Sequence, residues 1–596
     1  MRRRGLIVAG APPSAGETAL ARAPARAGAR VLGLALVLAL GVAAGSRPGA
    51  MALAAPAVPP AAAAAAAAGT EPGPIALAAA AQVDTALEAW DIARAAALVE
   101  KMRGTFAGDP TFAYAEGRLL FFQGDYDGAA ERLAVAARAP GAPSYFGDAY
   151  DRARLTRAAT KDLDVVPSRD GRVVFRVSKA DRVLVPYAEE AFARIVDAVS
   201  ARLGFTPTAP VRVEFVPEVE RLSAMTGLAV EAIHTSGTIA ICKFDKLMVT
   251  SPRALLYGYG WLDTVAHEYV HYAVNHLTGA TVPIWLHEGL AKYLEQAWRL
   301  PPGPDGAAAP SKLPPAMEHL LAVALRTGKL IPFEKMHPSM ALLPSQEEAA
   351  LAFAEVFTMV DFLVARAGWD GVRGMLGDVG AGTDVEDAVA AAAHLPFKKV
   401  LADWKAGLRG KGLRVYPGLV ARGLAFRAED DAAGGAGAAA AKDGADKGEE
   451  KPLLGEIKSD KARKHLRLGE LLRGEGKMVA AVIELEKAHS ADAGSGPTIA
   501  LKLGRAYLDV GRPERAVAVV EPLVALYPEM VGVHVVLGRG KHALGDEAAA
   551  VEHLTEALRI NPFDPGVHRA LAEAYEKLGR AAEAERERTV LTLLRS

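Results

Sequence analysis

A chain of 596 residues is too long for one hydrophobic core, so about three or four domains of ordinary size are expected. Apolar residues make up 51% and charged residues 23%, as in soluble globular proteins, and 69 Lys and Arg against 70 Asp and Glu give a net charge of -1, which argues against nucleic-acid binding. The single cysteine, Cys242, excludes an internal disulfide framework and a cysteine-based metal site, and its apolar run from Thr238 reads as core.

At the N-terminus, Arg22, Arg26 and Arg30 precede an uninterrupted apolar run from Val31 to Ala44, followed by small residues. This is the pattern of an export signal, and the run is shorter than a spanning helix needs. No cysteine follows it, which excludes a lipoprotein anchor. The basic region is long, so the true start could lie downstream of Met1. Residues 1–45 are thus expected to be a signal peptide or an uncleaved anchor, the latter allowing membrane association; a disordered Ala-rich leader is the bland alternative. The expected location is periplasmic or secreted. The Ala/Pro-rich stretch over 46–80 lacks packing residues and is expected to be disordered. Residues 81–160 read as helical, with Gly117, Gly124 and Ala129 at offsets of seven and twelve.

Residues 161–426 have mixed character. GRVVFRV (171–177) and VRVEF (211–215) alternate and carry β-branched residues, so they read as strands, with a helix from about Pro186 to Leu203 between them. Two short strand-like runs follow within 237–251, and from Trp261 the periodicity is helical. A small sheet followed by helices predicts an α+β domain. Its chemistry lies in His267-Glu268-Tyr-Val-His271. Four residues apart on a helix, the two imidazoles share a face and can meet one ion, while Glu268 points about 100° away, towards a water on the open side. Helix one is expected to stop near Gly279, with Thr281 capping a second helix and Pro283 in its first turn.

That second helix carries Trp285-Leu-His287-Glu288-Gly-Leu-Ala291. The pairing of HEYVH with WLHEGLA resembles the gluzincins of the peptidase MA clan over about residues 172–409. The resemblance implies a Zn2+ site with His267, His271 and Glu288 as ligands, Glu268 as general base, and a peptide or protein substrate held against a sheet edge, for which Thr238–Cys242 and Leu247–Thr250 are candidates. Glu288 lies 17 positions after His271, slightly closer than in thermolysin-like members, and their aspartate position holds Lys292. His287 is an alternative ligand, and Tyr293, His319 and His337 are available to steady an oxyanion. His276 does not fit the metzincin pattern.

Residues 427–460 are rich in Gly, Ala and charge without hydrophobic periodicity and read as a flexible linker, across which few contacts are expected. Beyond it, over 461–596, Gly469, Gly504, Gly538 and Ala572 recur at intervals of 35, 34 and 34 residues. Each is followed at seven by glycine (Gly476, Gly511, Gly545, Gly579) and at twelve by alanine (Ala481, Ala516, Ala550, Ala584). This resembles the tetratricopeptide repeat, and Gly117, Gly124 and Ala129 give a weaker copy in the N-terminal segment. Such arrays imply protein partners, or docking on the neighbouring domain. Two functions are therefore open: a zinc metallopeptidase whose repeats recruit partners or substrate, and a cell-envelope repeat scaffold with a non-catalytic domain. The intact Glu268 favours the first.

Overall fold

Among the described residues the first helix begins at Pro74, where proline in the first turn presets φ and gives up an N–H the helix would leave unpaired. The computed structural model describes residues 70–299, 313–419, 423–427, 457–492 and 496–595, all within the contact-linked unit 56–596. Helix α1 (Pro74–Glu88) buries Ala76, Ala80, Val83 and Leu87 beside α2 (Ile92–Phe106) and α3 (Pro110–Gln123). The expectation of disorder over 46–80 is thus corrected at its end: alanines from residue 76 onward serve as a close-packing helix face, which composition alone does not reveal. The earlier part of that stretch and the export segment lie outside the described residues. Helix α4 (Tyr126–Ala137) pairs with α3; a Cβ added at Gly117 would lie 2.6 Å from Leu133 Cγ, which is why a glycine stands there. Helix α5 (Ser144–Thr160) completes this segment.

The sheet comprises β1 (Asp164–Pro167), β2 (Val173–Val177), β3 (Val211–Val216), β4 (Ala240–Lys243) and β5 (Lys246–Thr250), in the order β1-β2-β3-β5-β4. Strands β2, β3 and β5 are parallel, and α6 (Val185–Leu203) crosses between β2 and β3. The edge strands β1 and β4 run antiparallel to their neighbours. Four residues ending in proline carry too short an alternation to announce β1. Strand β5 pairs with both β3 and β4, so the Leu247–Thr250 run is not an edge; β4 is. The short helices α7 (Val219–Thr226) and α8 (Val230–Ser236) lead into β4.

Helix α9 (Trp261–Thr278) packs against β4 and β5 and closes at Gly279, whose φ of 62° is the left-handed cap that glycine tolerates. Helix α10 (Ile284–Leu294) returns beside α9. Thr281 does not cap it: Pro283 occupies the cap position, and the Thr281 hydroxyl donates back to the Thr278 carbonyl at 2.7 Å. Helices α11 (Pro315–Thr327), α12 (Gln346–Gly380, broken at Gly368), α13 (Val385–Ala393) and α14 (Phe397–Gly410) enclose the other side. At Gly289 a Cβ would meet Val360 Cγ2 at 2.8 Å and the Val356 carbonyl at 2.9 Å, so the glycine after Glu288 is what lets α10 lie on α12.

Within α12, Glu355 is buried and accepts a hydrogen bond from the Ile331 N–H at 2.8 Å. Burial lifts its carboxyl to about 8, only partly offset by that bond and by Lys405. The folded chain therefore keeps a proton that the unfolded chain releases, and stability falls as pH rises from the ordinary carboxylate range through about 8. Urea unfolding at pH 5 and pH 8 should show a loss on the order of a few kcal/mol in the wild type that Glu355→Gln removes. Parallel losses in the two proteins would rule out Glu355 as the cause.

The C-terminal array consists of helical hairpins α15 (Asp460–Gly474) with α16 (Met478–Ala491), α17 (Thr498–Asp509) with α18 (Pro513–Val520), α19 (Val531–Ala543) with α20 (Glu547–Ile560), and α21 (Pro565–Lys577) with α22 (Ala581–Leu593). A Cβ at Gly469, Gly504 or Gly538 would fall within 2.8 Å of Leu485, Val520 or Leu554 on the partner helix, which gives the 34-residue glycine its reason.

The array is not set apart as the composition of 427–460 suggests. Leu554, Leu558, Val567, Leu571 and Tyr575 belong to the same core as the sheet. The indole of Trp261, first residue of α9, donates to the Leu558 carbonyl at 3.0 Å, and the Tyr259 N–H to that of Ile560 at 3.0 Å. Arg299 bridges Asp263 and Glu556, and buried Tyr187 on α6 donates to Glu587 at 2.7 Å. At the linker's own ends, the Arg427 N–H donates to the Ala254 carbonyl and Ile457 is buried; 428–456 lie outside the described residues. Low-complexity composition reports only that a segment builds no core of its own, not whether the elements it joins pack together.

Candidate metal centre

The two histidines of the sequence motif leave α9 on one face, as their spacing of four requires. The Glu288 carboxylate, from the second turn of α10, meets both: its Oε2 lies 3.2 Å from His267 Nε2 and 3.3 Å from His271 Nε2. The ligand atoms of His267, Glu268 and His271 also lie within 4.8 Å of one another. Ligands about 2.0–2.2 Å from a tetrahedral zinc stand roughly 3.3 Å apart, so the measured separations suit an N, N, O donor set around one such ion.

His287 is not part of this cluster. One residue before Glu288 it points about 100° away; its Nε2 meets Asn275 Oδ1 at 3.0 Å and its ring stacks on His271 at 4.2 Å. Burial, reinforced by the charge of His271, holds its pKa well below the usual imidazole value, which suits a neutral spacer that sets the His271 ring plane.

A second carboxylate was not anticipated. Glu295 Oε2 lies 3.3 Å from His267 Nδ1, and its other oxygen accepts from Lys292 at 2.6 Å. Glu295 as acceptor keeps a proton on Nδ1, so the Nε2 proton, which faces Glu288, is the one that an incoming ion would displace. Lys292, where thermolysin-like members have an aspartate, pairs with Glu295, and the carboxylate beside His267 stands three residues further on. The available signal was the spacing of seven between Glu288 and Glu295, two turns on one helical face. Burial lowers the His267 pKa, but its bonds with Glu288 and Glu295 outweigh this and lift it to about 10. Burial raises Glu288, and the charge of His271 with both histidine hydrogen bonds overrides that, leaving it well below the usual carboxylate value.

Glu268 is buried, and its Oε2 has no hydrogen-bond partner among the described residues. Burial raises its pKa against the opposing charges of His271 and His267, and the backbone N–H of Cys242 lowers it. Strand β4 explains that contact. The Ile239 carbonyl accepts from the Thr250 N–H at 2.8 Å, so by antiparallel alternation Ile241 and Lys243 also turn towards β5, and Ala240 and Cys242 present their backbone groups to the open edge. Of the residues considered for an oxyanion, Tyr293 reaches Asp361 and packs on Phe357 and Trp369, and His319 accepts from the Tyr416 N–H at 3.0 Å. His337 follows the short turn Phe333–Met336. His276 pairs with Asp245 at 2.9 Å.

Residues 189–410 match the family model of the Peptidase MA superfamily, and 501–565 match that of the tetratricopeptide repeat. The chain carries a Peptidase MA superfamily domain of α+β fold joined to all-helical tetratricopeptide repeats. No curated protein matches it. Among solved structures, MamA of AMB-1 is 28% identical over 22% of this chain and 78% of its own, with a TM-score of 0.21. MamA of MSR-1 is 27% identical over 22% and 76%, with a TM-score of 0.21. A thermophilic TPR protein of Thermus thermophilus is 28% identical over 22% and 74%, with a TM-score of 0.20.

Proposed function

We propose that the chain is an exported zinc metallopeptidase whose repeats engage protein partners. The observation that carries the reading is the convergence of His267, His271 and Glu288 beside a buried Glu268 whose Oε2 is unpartnered. The export half rests on the basic and apolar pattern of residues 22–44. Among the described residues no helix is long and apolar enough to cross a membrane.

His267, His271 and Glu288 would hold the ion. When bound, zinc supplies a Lewis acid that polarises the scissile carbonyl and acidifies a water. Glu268 accepts the proton of the attacking water and passes it to the leaving amine; its Oε2, free of any hydrogen-bond partner among the described residues, is available to take that proton. Glu295 holds the Nδ1–H of His267 and so fixes the ring's tautomer. The N–H and carbonyl of Ala240 on the open edge of β4 are available to pair with an extended substrate.

Zinc titration against a competing chelator tests the ligand set. Glu288→Ala should weaken binding by more than about 100-fold, Glu295→Gln by about 10–100-fold, and His287→Ala by no more than a few-fold. The reverse order for Glu288 and His287 would transfer the ligand role to His287. Stoichiometric zinc in a wild type that cleaves no peptide from a diverse library would instead support the scaffold reading.

A further inference from the structure

The first repeat of the array presents a face that in every later repeat is buried. Counting by the repeat, Ile499, Leu503 and Ala506 on α17 correspond to Val533, Leu537 and Gly540 on α19 and to Val567, Leu571 and Ala574 on α21. All nine are buried, where each hairpin stacks on the second helix of the one before it. At Gly540, for example, a Cβ would lie 2.7 Å from Val517 Cγ2 on α18.

On α15 the same offsets fall on Lys464, Leu468 and Leu471, and no hairpin precedes them among the described residues. Leu468 is 42% exposed and Leu471 60%. An end face that served only to finish the array would be polar at all three positions. This one keeps two leucines and places Lys464 at the third, with Lys461 on the same side and Arg467 at its margin. None of these three cations pairs with a carboxylate among the described residues, whereas Arg463 and Arg473 on the same helix are paired with Asp460 and Asp509.

We propose that this face of α15 docks an acidic amphipathic helix of a partner protein, which stacks there as the second helix of a preceding repeat would. Its leucine-type side chains cover Leu468 and Leu471, and its flanking carboxylates meet Lys461, Lys464 and Arg467. The repeat register favours a helix over a lipid surface, because a helix covers the equivalent residues in all three later repeats. The wide leucine at 471, where stacked repeats have Ala or Gly, makes the seat shallower than an internal junction and suits a separable partner. The site deepens the partner-binding part of the proposed function and is independent of hydrolysis.

The test is fluorescence anisotropy of a labelled 20-residue helical peptide, apolar at every third and fourth position and flanked by glutamates, titrated with the full chain. Saturable binding is expected, weakened about tenfold or more by Leu471→Glu and by Lys464→Glu. A lysine-flanked peptide should recover affinity for Lys464→Glu/Arg467→Glu, a rescue that a folding defect would not give. Each variant's circular dichroism melt is taken alongside. The proposal is overturned by equal binding of a scrambled peptide, by affinity indifferent to both substitutions, or by no binding at all. It is equally overturned if anionic phosphatidylglycerol vesicles, or a second copy of the chain seen by sedimentation, occupy the face in a Leu471-dependent way while the peptide does not.

Discussion

Glu268→Gln binds zinc at the wild-type stoichiometry and melts with the wild type, but cleaves peptides about 10²–10⁴-fold more slowly: that is the outcome expected if Glu268 is the general base. The amide keeps the shape of the side chain in its buried place under β4, where the Cys242 N–H bears on it. It cannot take a proton from the attacking water. The substitution also removes a buried carboxyl whose burial costs free energy, so the variant should be no less stable than the wild type. Peptide turnover measured with zinc content on the same samples separates the two effects. Turnover at the wild-type rate with full zinc would dismiss Glu268 and the mechanism together.

The second large effect concerns the last repeats. A chain ending at Gly545, which lacks α20 to α22, should lose its cooperative thermal transition, although the whole sheet and the HExxH helix are retained. Truncation strips the cover from Trp261, removes the Leu558 and Ile560 carbonyls that anchor the start of α9, and leaves Tyr187 without Glu587 and His568. Trp261→Ala in the full chain gives a milder version, on the order of 3–5 kcal/mol for a fully buried indole. A chain nicked by limited proteolysis between residues 428 and 456 should elute as one particle on gel filtration, because the halves share a core. Fragments that separate, or a truncated chain that melts cooperatively within a few degrees of the full one, would show that the repeats merely rest on the domain.

The HExxH helix was legible because a spacing of four fixes a shared face whatever surrounds it. The repeats were legible because Gly469, Gly504 and Gly538 each relieve the same close approach between paired helices. The choice of Glu288 over His287 came from the resemblance, and the structure supplies a local reason: adjacent helical residues diverge by about 100°, and Asn275 engages the histidine. Glu295 is not legible in the sequence because Lys292 occupies the aspartate position of thermolysin-like members, and nothing local says which turn of α10 lies against His267.

What the sequence determined by itself is whatever depends on periodicity along one element: the metal-facing stripe of α9, its glycine stop, the 34-residue repeat, and the strands β2 and β3. Tertiary structure alone decided which strand is the open edge, which carboxylate orients His267, and where the domain ends. Of the two runs considered as a substrate edge, only β4 is one, because β5 is paired on both sides. The domain does not end at the Gly/Ala-rich segment because Leu558 and Trp261 meet from opposite sides of it, 297 residues apart. Burial of apolar faces is non-directional and indifferent to chain distance, so no local pattern announces which two faces will share a core.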